Sequence, residues 1–565
     1  MTGGVDRYSP SDYQTSRSKA VLQSSTSTST SPSSTHHALA SMNEPTSYKQ
    51  ALQQPDRGKW QEAIDDELNA HKKNDSFKII KFEKGMNVIG CRWVFNKKKD
   101  EYGNIKKYKA RLVAKGFTQQ EGVDYDETFA PVLKYKSMRM ILALSTFNKK
   151  TNIKQLDVKT AFLNATVNEN IYMKIPEGMK INDSENKVIK LNKALYGLKQ
   201  ASNEWNNEIN NFLTKELSFT RCIKDTCIYI KTSKNNNNII FGIFVDDIIS
   251  SYVDEDENEY NIYINKLKNK YDLLDIGNIN HILGMHVSKQ SNSLYIDQKS
   301  YITDKLKSFN MLTCTSSPTP SSLDKLTKNV DVKMIESENE YRSIVGSLIY
   351  ASISTRPDIT HAVNMVSRHM HAPNHTHMIA AKRILKYLSG TQDLCLKYDY
   401  DDNDIKNKKV SIEAYCDADW GGDTDDRKST TGYCVFINKK LISWHTHKQP
   451  TVALSSAEAE LMSGTDVVKE IMWLRMMLTE LNYEVDQPII IMIDNQSAIK
   501  IAENDVEHTR SKHIDIKYNF IRNEIRDKNI ELRWISTRDQ IADIFTKSLV
   551  KEIFEKLRDQ LISKL

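Results

Sequence analysis

The sequence predicts an α+β multidomain protein. Its 565 residues are enough for about three or four domains of ordinary size, each with its own core. A hydrophobic fraction of 39% and a charged fraction of 27% are typical of globular protein. Strands mixed with helices come first, a mostly helical stretch follows, and strands and helices alternate at the end. No run approaches ~18 apolar residues, so no transmembrane helix is expected.

Composition divides the chain into four parts. A Ser/Thr-rich tail over 1–57 lacks the apolar residues for a core, and we expect it to be disordered. Mixed strands and helices are predicted over 58–318, from the helical stretch WQEAIDDELNAHKK to the linker TCTSSPTPSS. A mostly helical part spans 319–409. In the last part, 410–565, the pattern of apolar residues predicts three strands, a long helix, a strand, helices, a strand and a helix.

Charge and cysteine usage point to a nucleic-acid partner in a reducing compartment. The segment from Lys97 to Lys115 holds eight basic and two acidic residues, which equals the net charge of +6 of the whole chain. Such a hairpin suits contact with phosphate groups, although a solvated surface hairpin is the competing interpretation. The seven cysteines form no C-x-x-C pair and no zinc spacing, so we expect free thiols and no structural zinc.

Three aspartates form the first acidic constellation. NIKQLDVKTAFLNA places Asp157 at the end of a strand, and IIFGIFVDDIISS predicts two apolar strands flanking Asp246 and Asp247 at a tight turn. Carboxylates at such short distances repel each other unless a cation lies between them. Mg²⁺ binds carboxylate and phosphate oxygens, and two such ions about 4 Å apart activate an attacking hydroxyl and stabilise a leaving group. The pattern therefore favours a two-metal site.

Several stretches together resemble the reverse transcriptase of Copia-type (pseudovirus) LTR retrotransposon Pol polyproteins. They are CRWVFNKKKD, YKARLVAKGFTQQEGVDYDETFAPV, QLDVKTAFLNA, KALYGLKQAS, FVDD and YRSIVGSLIYAS. The resemblance runs from about Trp60 to the end of the chain. It implies a right-hand polymerase with fingers, palm, thumb and a helical connection. It also implies an RNA template, a DNA primer, dNTPs and two Mg²⁺ per active site, with Mn²⁺ as an alternative.

The resemblance assigns roles to single residues in the polymerase part. Asp157, Asp246 and Asp247 are the expected metal-binding aspartates of the palm, the first two holding both ions. Phe162 matches the aromatic residue that crowds a ribose 2′-OH, with an ordinary core aromatic as the competing interpretation. Residues expected at the nucleotide are Lys109 or Arg111 on the triphosphate, and Gly197, Lys199 and Gln200 of LYGLKQ. Residues expected at the nucleic acid are Lys97, Lys98, Lys99 and Gly284 of LGMHV.

The C-terminal part holds further acidic residues in EAYCDADWGG, SSAEAELMSG, IIIMIDNQSA and RDQIADIFTK. Ser455 and Glu458 fit a capping box, which directs Glu458 to the helix start. Glu460 lies about 200° around the helix from Glu458, so we choose Glu460 as a metal ligand. Asp417 and Asp419 share one face of a strand, and geometry does not separate them.

The order of these acids resembles the ribonuclease H fold, which the Copia-type family carries in this position. The resemblance favours Asp417 over Asp419 and adds Asp494 at a strand end and Asp543 in the last helix. The implied reaction is hydrolysis of the RNA strand of an RNA–DNA hybrid by two metal ions. Residues expected at the backbone phosphates are Arg510, Lys512 and His513, with a structural histidine as the competing interpretation.

Two hypotheses follow. The first is an active polymerase and nuclease that serves retrotransposon replication, and the second is a decayed or domesticated copy that only binds nucleic acid. All seven acids are present, which favours the first. No D-[ST]-G protease motif or integrase zinc cluster is found, so we expect a processed product or, preferably, a truncated reading frame. Expected partners include capsid and integrase products and, by analogy, a second copy, in a cytoplasmic virus-like particle or the nucleus.

Overall fold

The computed structural model describes residues 44–99, 105–181, 186–328, 335, 337–400, 408–504 and 512–565, without the side chains of Lys99 and of residues 512–518. Residues 45–565 form one compact unit. Helices and mostly antiparallel sheets build this unit, which is typical of an α+β protein. Among the described residues, no helix is long and apolar enough to cross a membrane.

Regular structure begins earlier than the composition predicts. Helix α1 (Tyr48–Gln53) starts at Ser47, whose hydroxyl accepts a hydrogen bond from the backbone N–H of Gln50, and Ala51 is fully buried. The prediction of a disordered tail to residue 57 is therefore wrong for this helix. A single capping serine and one buried alanine are too small a signal to stand out from the polar composition around them. Residues 1–43 lie outside the described part of the chain.

A helix and a hairpin form the layer that covers the first acidic site. Helix α2 (Arg57–Lys73) packs on strands β3 (Cys91–Lys99) and β4 (Ile105–Ala114). Every second side chain of the hairpin faces the helix and is buried: Trp93, Phe95, Ala110, Leu112 and Ala114. A four-stranded sheet in the order β1–β7–β6–β2 has these strands: β1 (Phe77–Lys81), β2 (Val88–Ile89), β6 (Tyr172–Met173) and β7 (Lys187–Leu191).

Six strands form the sheet that carries the first acidic site, in the order β12–β5–β11–β10–β9–β8. Its apolar runs are buried on both faces: Ile240 and Ile249 belong to one core, and Phe241 and Ile248 to the other. The strands are β5 (Thr151–Val158), β8 (Thr220–Arg221), β9 (Ile228–Thr232), β10 (Asn238–Phe244), β11 (Asp247–Val253) and β12 (Leu273–Asn278). The helices of this region are α3 (Tyr135–Ser145), α4 (Ala201–Asn211) and α5 (Glu257–Lys270).

The described residues of 319–409 are mostly helical and include strand β16. Their helices are α7 (Glu338–Ser354), α8 (Thr360–Ser367) and α9 (His375–Ser389), and helix α6 (Lys299–Ser308) precedes them. A sheet in the order β13–β14–β15–β16–β24 links three regions of the chain. Its strands are β13 (His281–Ile282), β14 (Met285–Gln290), β15 (Ser293–Asp297), β16 (Leu394–Asp399) and β24 (Ser563–Lys564). The C-terminal strand thus returns to the middle of the chain.

The C-terminal part has the predicted order of elements. Three antiparallel strands are followed by the long helix α10 (Ser456–Glu480) and by two strands that continue the sheet in parallel, in the order β20–β19–β18–β22–β23. The strands are β18 (Ile412–Asp419), β19 (Thr430–Ile437), β20 (Lys440–Lys448), β22 (Ile489–Ile493) and β23 (Ile530–Trp534), with a small pair β17 (Lys409–Val410) and β21 (Glu484–Val485). The remaining helices are α11 (Gln496–Glu503), α12 (Lys512–Arg526) and α13 (Lys551–Arg558).

Candidate active sites

The register of the central sheet brings the three aspartates of the first site together. Asp157 on β5 is the direct partner of Asp247 on β11, and the backbone N–H of Val158 donates to the carbonyl oxygen of Asp246 at 2.9 Å. Asp246 occupies the two-residue turn between β10 and β11, and the preceding Val245 is left-handed at φ 56°. The predicted hairpin is thus observed. Its turn places all three carboxylates at the same end of the neighbouring strands β5 and β11.

The first site favours binding of a cation. Burial, and secondly the charge of Asp246, raise the pKa of Asp157 above its ordinary value. The same two causes raise the pKa of Asp247 to about 6, although Gln155 Nε2 donates to its carboxylate at 3.4 Å. A bound divalent cation would offset the repulsion that produces these shifts. The donor set therefore fits Mg²⁺.

Basic side chains face these aspartates across a cleft of about 580 Å³. Lys109 and Arg111 are two residues apart on β4 and share one strand face, and both line the cleft, which Asp66 and Glu67 of α2 also line. Lys98 on β3 lines it as well. The choice between Lys109 and Arg111 therefore stays open on geometry, because both side chains reach the same space.

The three lysines at the end of β3 do not share one environment. Lys97 lies on the helix side of the hairpin, where Nζ is 2.7 Å from Asp56 and 5.6 Å from the ring centroid of Trp60. Its side chain is 12% exposed, so the structure corrects its prediction as a nucleic-acid contact: it anchors the hairpin to α2. Lys98 points to the cleft. The side chain of Lys99 lies outside the described residues.

Tyr196, and not Phe162, lines the cleft, together with Tyr108 and Tyr271. Phe162 sits in the 3-10 turn Ala161–Asn164, is 7% exposed, and packs edge-on against Tyr196 with ring centroids 4.7 Å apart. The guanidinium of Arg111 lies 5.3 Å from the centroid of Tyr196. This corrects the prediction that Phe162 itself faces the cleft. The YG pair in LYGLKQ was the available signal for Tyr196, because its glycine brings the loop against β4.

The LYGLKQ loop has a packing role that sequence reasoning missed. Gly197 has φ +91°, and a Cβ there would collide with the carbonyl oxygen of Ala114. Gln200 is 1% exposed, and its amide donates to the carbonyl of Asp124 at 2.8 Å and accepts from Gln119 at 3.1 Å. The prediction of Gln200 as a nucleotide contact is wrong, because its hydrogen bonds are used inside the protein.

Lys199 and Gly284 lie at the surface positions that their predictions require. Lys199 is exposed, and its Nζ donates to the hydroxyl of Tyr125 at 2.7 Å beside a cavity that Val245 also lines. Gly284 has φ +73° in the turn between β13 and β14, and Tyr350 packs so close that a Cβ would collide with its hydroxyl. Contact of either residue with nucleic acid stays a prediction.

Asp417, Glu460 and Asp494 form the second acidic site. Each offers a carboxylate oxygen within 4.8 Å of the others, and within the described ranges no other trio of His, Cys, Asp or Glu comes as close. Asp417 lies on β18, Glu460 on α10 and Asp494 directly after β22. Asp419 is outside this trio, so the choice of Asp417 agrees with the geometry.

The choice between the two glutamates follows from how α10 begins. Ser455 Oγ accepts from the backbone N–H of Glu458 at 3.2 Å, and the Glu458 carboxylate turns back to accept from the N–H of Leu454 at 2.8 Å. Glu458 therefore caps the helix start as predicted, with Leu454 as its donor instead of Ser455. Glu460 is left to face Asp417 and Asp494.

Asp543 joins the second site from a position that differs from its prediction. It lies in the 3-10 turn Ile541–Phe545, not in the last helix, because Gln540 accepts from Ala542 and starts a short turn there. Lys547 connects it to the trio: its Nζ is 2.9 Å from Asp543 Oδ1 and 3.6 Å from Asp417 Oδ2. Lys547 was missed, although its spacing of four residues from Asp543 predicts such a pair.

The second site favours a bound cation more strongly than the first. Glu460 is 5% exposed, and its Oε2 accepts no hydrogen bond from the described residues. Burial, followed by the charges of Asp417 and Asp494, raises the pKa of Glu460 well above its ordinary value. Burial and Asp417 raise the pKa of Asp543 to about 8. An unpaired buried carboxylate beside others is costly, so this donor set fits Mg²⁺.

Three predicted phosphate contacts of the C-terminal part cannot be placed. Arg510 and the side chains of Lys512 and His513 lie outside the described residues. Thr537 Oγ1 donates to Asp494 Oδ2 at 2.8 Å, and the indole N–H of Trp534 donates to the carbonyl of Asp494 at 3.2 Å. The exposed Trp534 and Thr537 therefore border the second site.

Comparisons with known proteins match the chain to reverse transcriptases and retrotransposon Pol proteins. Residues 74–322 match the family model described as "Reverse transcriptase (RNA-dependent DNA polymerase)". The chain is 38% identical over 536 residues to the retrovirus-related Pol polyprotein from transposon TNT 1-94 of Nicotiana tabacum, covering 94% of this chain and 40% of that one. It is 37% identical over 528 residues to the Pol polyprotein from transposon RE1 of Arabidopsis thaliana, covering 93% and 35%.

A shorter relative is covered in full. The putative transposon Ty5-1 protein of Saccharomyces cerevisiae is 30% identical over 318 residues, which are 56% of this chain and 100% of that protein. Among solved structures, the foamy viral protease-reverse transcriptase in complex with RNA/DNA hybrid matches with a TM-score of 0.44 and 12% identity, over 85% of this chain and 54% of that one. The chain spans 35–40% of the length of the plant Pol polyproteins that it matches.

Proposed function

The chain belongs to the Copia-type family of retrotransposon Pol proteins, and from this premise we propose that it is an RNA- and DNA-templated DNA polymerase with ribonuclease H activity on RNA–DNA hybrids. The observation that carries the proposal is the strand register that sets Asp157, which lines a basic cleft with Asp246, beside Asp247. Its substrates would be an RNA or DNA template, a DNA primer and dNTPs.

In the polymerase site, Asp157 and Asp246 would hold two Mg²⁺ ions, with Asp247 in a lesser role. When bound, the ions supply activation of the primer 3′-hydroxyl and neutralisation of the leaving pyrophosphate. Lys109 and Arg111 together would bind the triphosphate, Arg111 through a planar fork and Lys109 as a point charge. Lys98 adds a third positive charge on the same side of the cleft.

Tyr196 would select the sugar of the incoming nucleotide. Its ring lines the cleft beside Asp246, and Phe162 supports that ring from behind at 4.7 Å between centroids. A bulky wall at this point leaves little room for a ribose 2′-hydroxyl. Phe162 would therefore act on selectivity by holding Tyr196 in place, which keeps its predicted effect but moves the contact to its neighbour.

In the second site, four carboxylates would hold Mg²⁺ for RNA hydrolysis: Asp417, Glu460, Asp494 and Asp543. When bound, the ions supply a hydroxide nucleophile and charge neutralisation at the leaving 3′ oxygen. The protein's own part is orientation: Thr546 donates to Asp417, and Thr537 donates to Asp494. Both hydroxyls fix a carboxylate before a cation arrives.

Further partners follow from the premise. We propose that the chain works with capsid and integrase products of the same element in a cytoplasmic virus-like particle, with a nuclear phase. Assembly as a homodimer is part of this proposal. Lys98, Lys199 and Gly284 are the described residues that we propose to contact the template and primer.

Primer extension tests the polymerase. The purified chain, Mg²⁺, dNTPs and a labelled primer on an RNA template should give extension, and Asp246→Asn should abolish it. Asp254→Asn is a matched control, because this residue lies at the far end of β11 and outside the cleft. If the wild-type chain binds the hybrid but neither extends the primer nor cleaves the RNA, it is a decayed copy that only binds nucleic acid.

A further inference from the structure

Lys547 is a basic side chain inside the second acidic site. Its Nζ contacts Asp543 Oδ1 at 2.9 Å and Asp417 Oδ2 at 3.6 Å. Asp417 is thus shared between two groups: with Glu460 and Asp494 on one side, and with Asp543 and the Lys547 ammonium on the other. One half of the site contains a positive charge supplied by the chain, and the other half contains none.

The half of the site without a positive charge has the arrangement of a cation-binding site. Glu460 is 5% exposed and its Oε2 has no hydrogen-bond partner among the described residues, although it lies with Asp417 and Asp494. A buried carboxylate oxygen without a donor is costly unless a cation binds it. The two halves therefore differ in what they need: one needs an external cation, and the other has an ammonium in place.

A cavity beside Lys547 offers space for its ammonium group. Its side chain is 33% exposed and borders a cavity of about 180 Å³ between the C-terminal sheet and the middle of the chain. Lys325 and Arg383 also line this cavity, as does Arg368, which pairs with Asp423 at 3.1 Å, and the lining includes the carboxylates of Asp324 and Asp419. Lys325 and Arg383 give this space basic groups that suit a phosphate group of a bound strand. A rotation of the lysine stem would carry the ammonium from the carboxylates to that space.

We propose that Lys547 is an internal cation that holds the Asp417–Asp543 half of the site. A first divalent ion binds readily at Asp417, Glu460 and Asp494, and a second binds tightly only when the ammonium moves out to the cavity and meets a phosphate of the bound hybrid. Lys547 is thus a positioning residue that makes full loading of the site depend on substrate. The inference rests on the proposed ribonuclease H function of this site.

A merely structural ion pair predicts something different. In that case, replacing Lys547 would lower the stability of the chain and would leave the affinity for a second ion unchanged or weaker, because the two carboxylates would lose their order. Competition by the ammonium predicts the opposite change in affinity. The two explanations are therefore separated by metal binding and not by activity or stability alone.

Mn²⁺ binding to the full-length chain tests the proposal. Asp157→Asn and Asp246→Asn are introduced into every sample so that the polymerase site does not contribute, and free Mn²⁺ is measured by its electron paramagnetic resonance signal without nucleic acid. Lys547→Gln removes the charge, Lys547→Arg keeps it, and Lys551→Gln is the matched control, an exposed lysine at the start of α13. Lys547→Ala is used if Lys547→Gln does not fold, and the thermal midpoint with and without Mn²⁺ reports folding.

The parent should bind one Mn²⁺ tightly and a second weakly. Lys547→Gln should bind the second ion at least about tenfold tighter, since a unit charge about 4 Å away contributes strongly in a buried site. Lys547→Arg and Lys551→Gln should match the parent. An unchanged or weaker second ion in Lys547→Gln, with the first still bound, overturns the proposal alone. Absence of Mn²⁺ binding in every sample overturns the ribonuclease H metal site as well.

Discussion

At the scale of single residues, the two acidic sites differ in how far their carboxylates are removed from water. Asp417 and Glu460 are 2% and 5% exposed, whereas the aspartates of the first site are partly exposed. Burial is the leading cause of the raised pKa of both Glu460 and Asp247. The second site should therefore depend more on a bound cation for its charge state and its stability.

Substitutions of the two glutamates at the start of α10 should change different properties: hybrid cleavage for Glu460 and helix capping for Glu458. Glu460→Gln should lower hybrid cleavage at least about a hundredfold, because it removes a metal ligand, and should raise thermal stability without metal, because it removes a buried charge. Glu458→Gln should keep cleavage and lose about 0.5 kcal/mol of stability, because it weakens the charge at the helix N-terminus. Cleavage rates and thermal melts of both variants check this. Equal loss of cleavage in Glu458→Gln would contradict the assignment.

Substitutions of Tyr196 and Phe162 should lower the preference for dNTPs over rNTPs to different extents. Tyr196→Ala should lower the preference for dNTPs over rNTPs by about tenfold or more, because it opens the wall that excludes the 2′-hydroxyl. Phe162→Ala should have a smaller effect, and Tyr196→Phe almost none, since the ring is kept. Single-nucleotide insertion gives kcat/KM for each nucleotide. A larger effect of Phe162→Ala than of Tyr196→Ala would place the contact at Phe162.

At the scale of elements, the β3–β4 hairpin shows which side-chain positions can be predicted from the alternating residues of a strand and which cannot. The period of two along these strands separates Lys97 from Lys98 and groups Lys109 with Arg111, and this was readable from the sequence. The burial of Gln200 was not readable, because its partners Asp124 and Gln119 are brought to it by the fold. The 3-10 turn at Asp543 was also hidden, since IADIFTK has a helical pattern too short to define a helix type.

Helix α2 should make the protein sensitive to mild acid. Burial lowers the pKa of His71 to about 4, and its ring bonds Ser76 Oγ at 2.7 Å. In the unfolded chain the histidine takes a proton below about pH 6.5, whereas in the folded chain it stays neutral, so stability falls as the pH drops from about 6.5 to about 4. The loss due to His71 should be about 2 kcal/mol at pH 5. Urea unfolding at pH 7.5 and 5.0 measures it.

The control for this pH effect is His71→Gln, which has no group that titrates in this range. The variant should lose less stability between the two pH values than the wild type, by about the same 2 kcal/mol. Buried His361 and His369 have lowered pKa values as well, so a slope should remain in the variant. Identical slopes in the two proteins would show that His71 is protonated in the folded state.

At the scale of the whole molecule, one core continues from the central sheet through the middle helices into the C-terminal sheet. Arg139 on α3 lies in this core and is 4% exposed. Its guanidinium donates to the carbonyls of Ile442 at 2.8 Å, of Ile353 at 2.8 Å and of Ser354 at 2.9 Å, so it connects three regions of the chain. The composition predicted separate domains, but it could not show that they share a core.

Loss of Arg139 should loosen the contact between the two regions that carry the acidic sites. Arg139→Met keeps the length of the side chain but leaves three buried carbonyls without their donor, which should cost about 3 kcal/mol. Thermal unfolding should begin earlier, and small-angle scattering should show a larger radius of gyration. Arg526→Met is the control, because Arg526 is 70% exposed. Unchanged melting and scattering in Arg139→Met would show that the contact is not a main support.

We propose that one chain carries two independent carboxylate sites that catalyse different reactions. A single reaction tests it, with the RNA template and the DNA primer labelled at different ends, Mg²⁺ and dNTPs. The wild type should extend the primer and cleave the RNA, Asp246→Asn should cleave without extending, and Asp494→Asn should extend without cleaving. Loss of both reactions in either variant, or neither reaction in the wild type, would contradict the account.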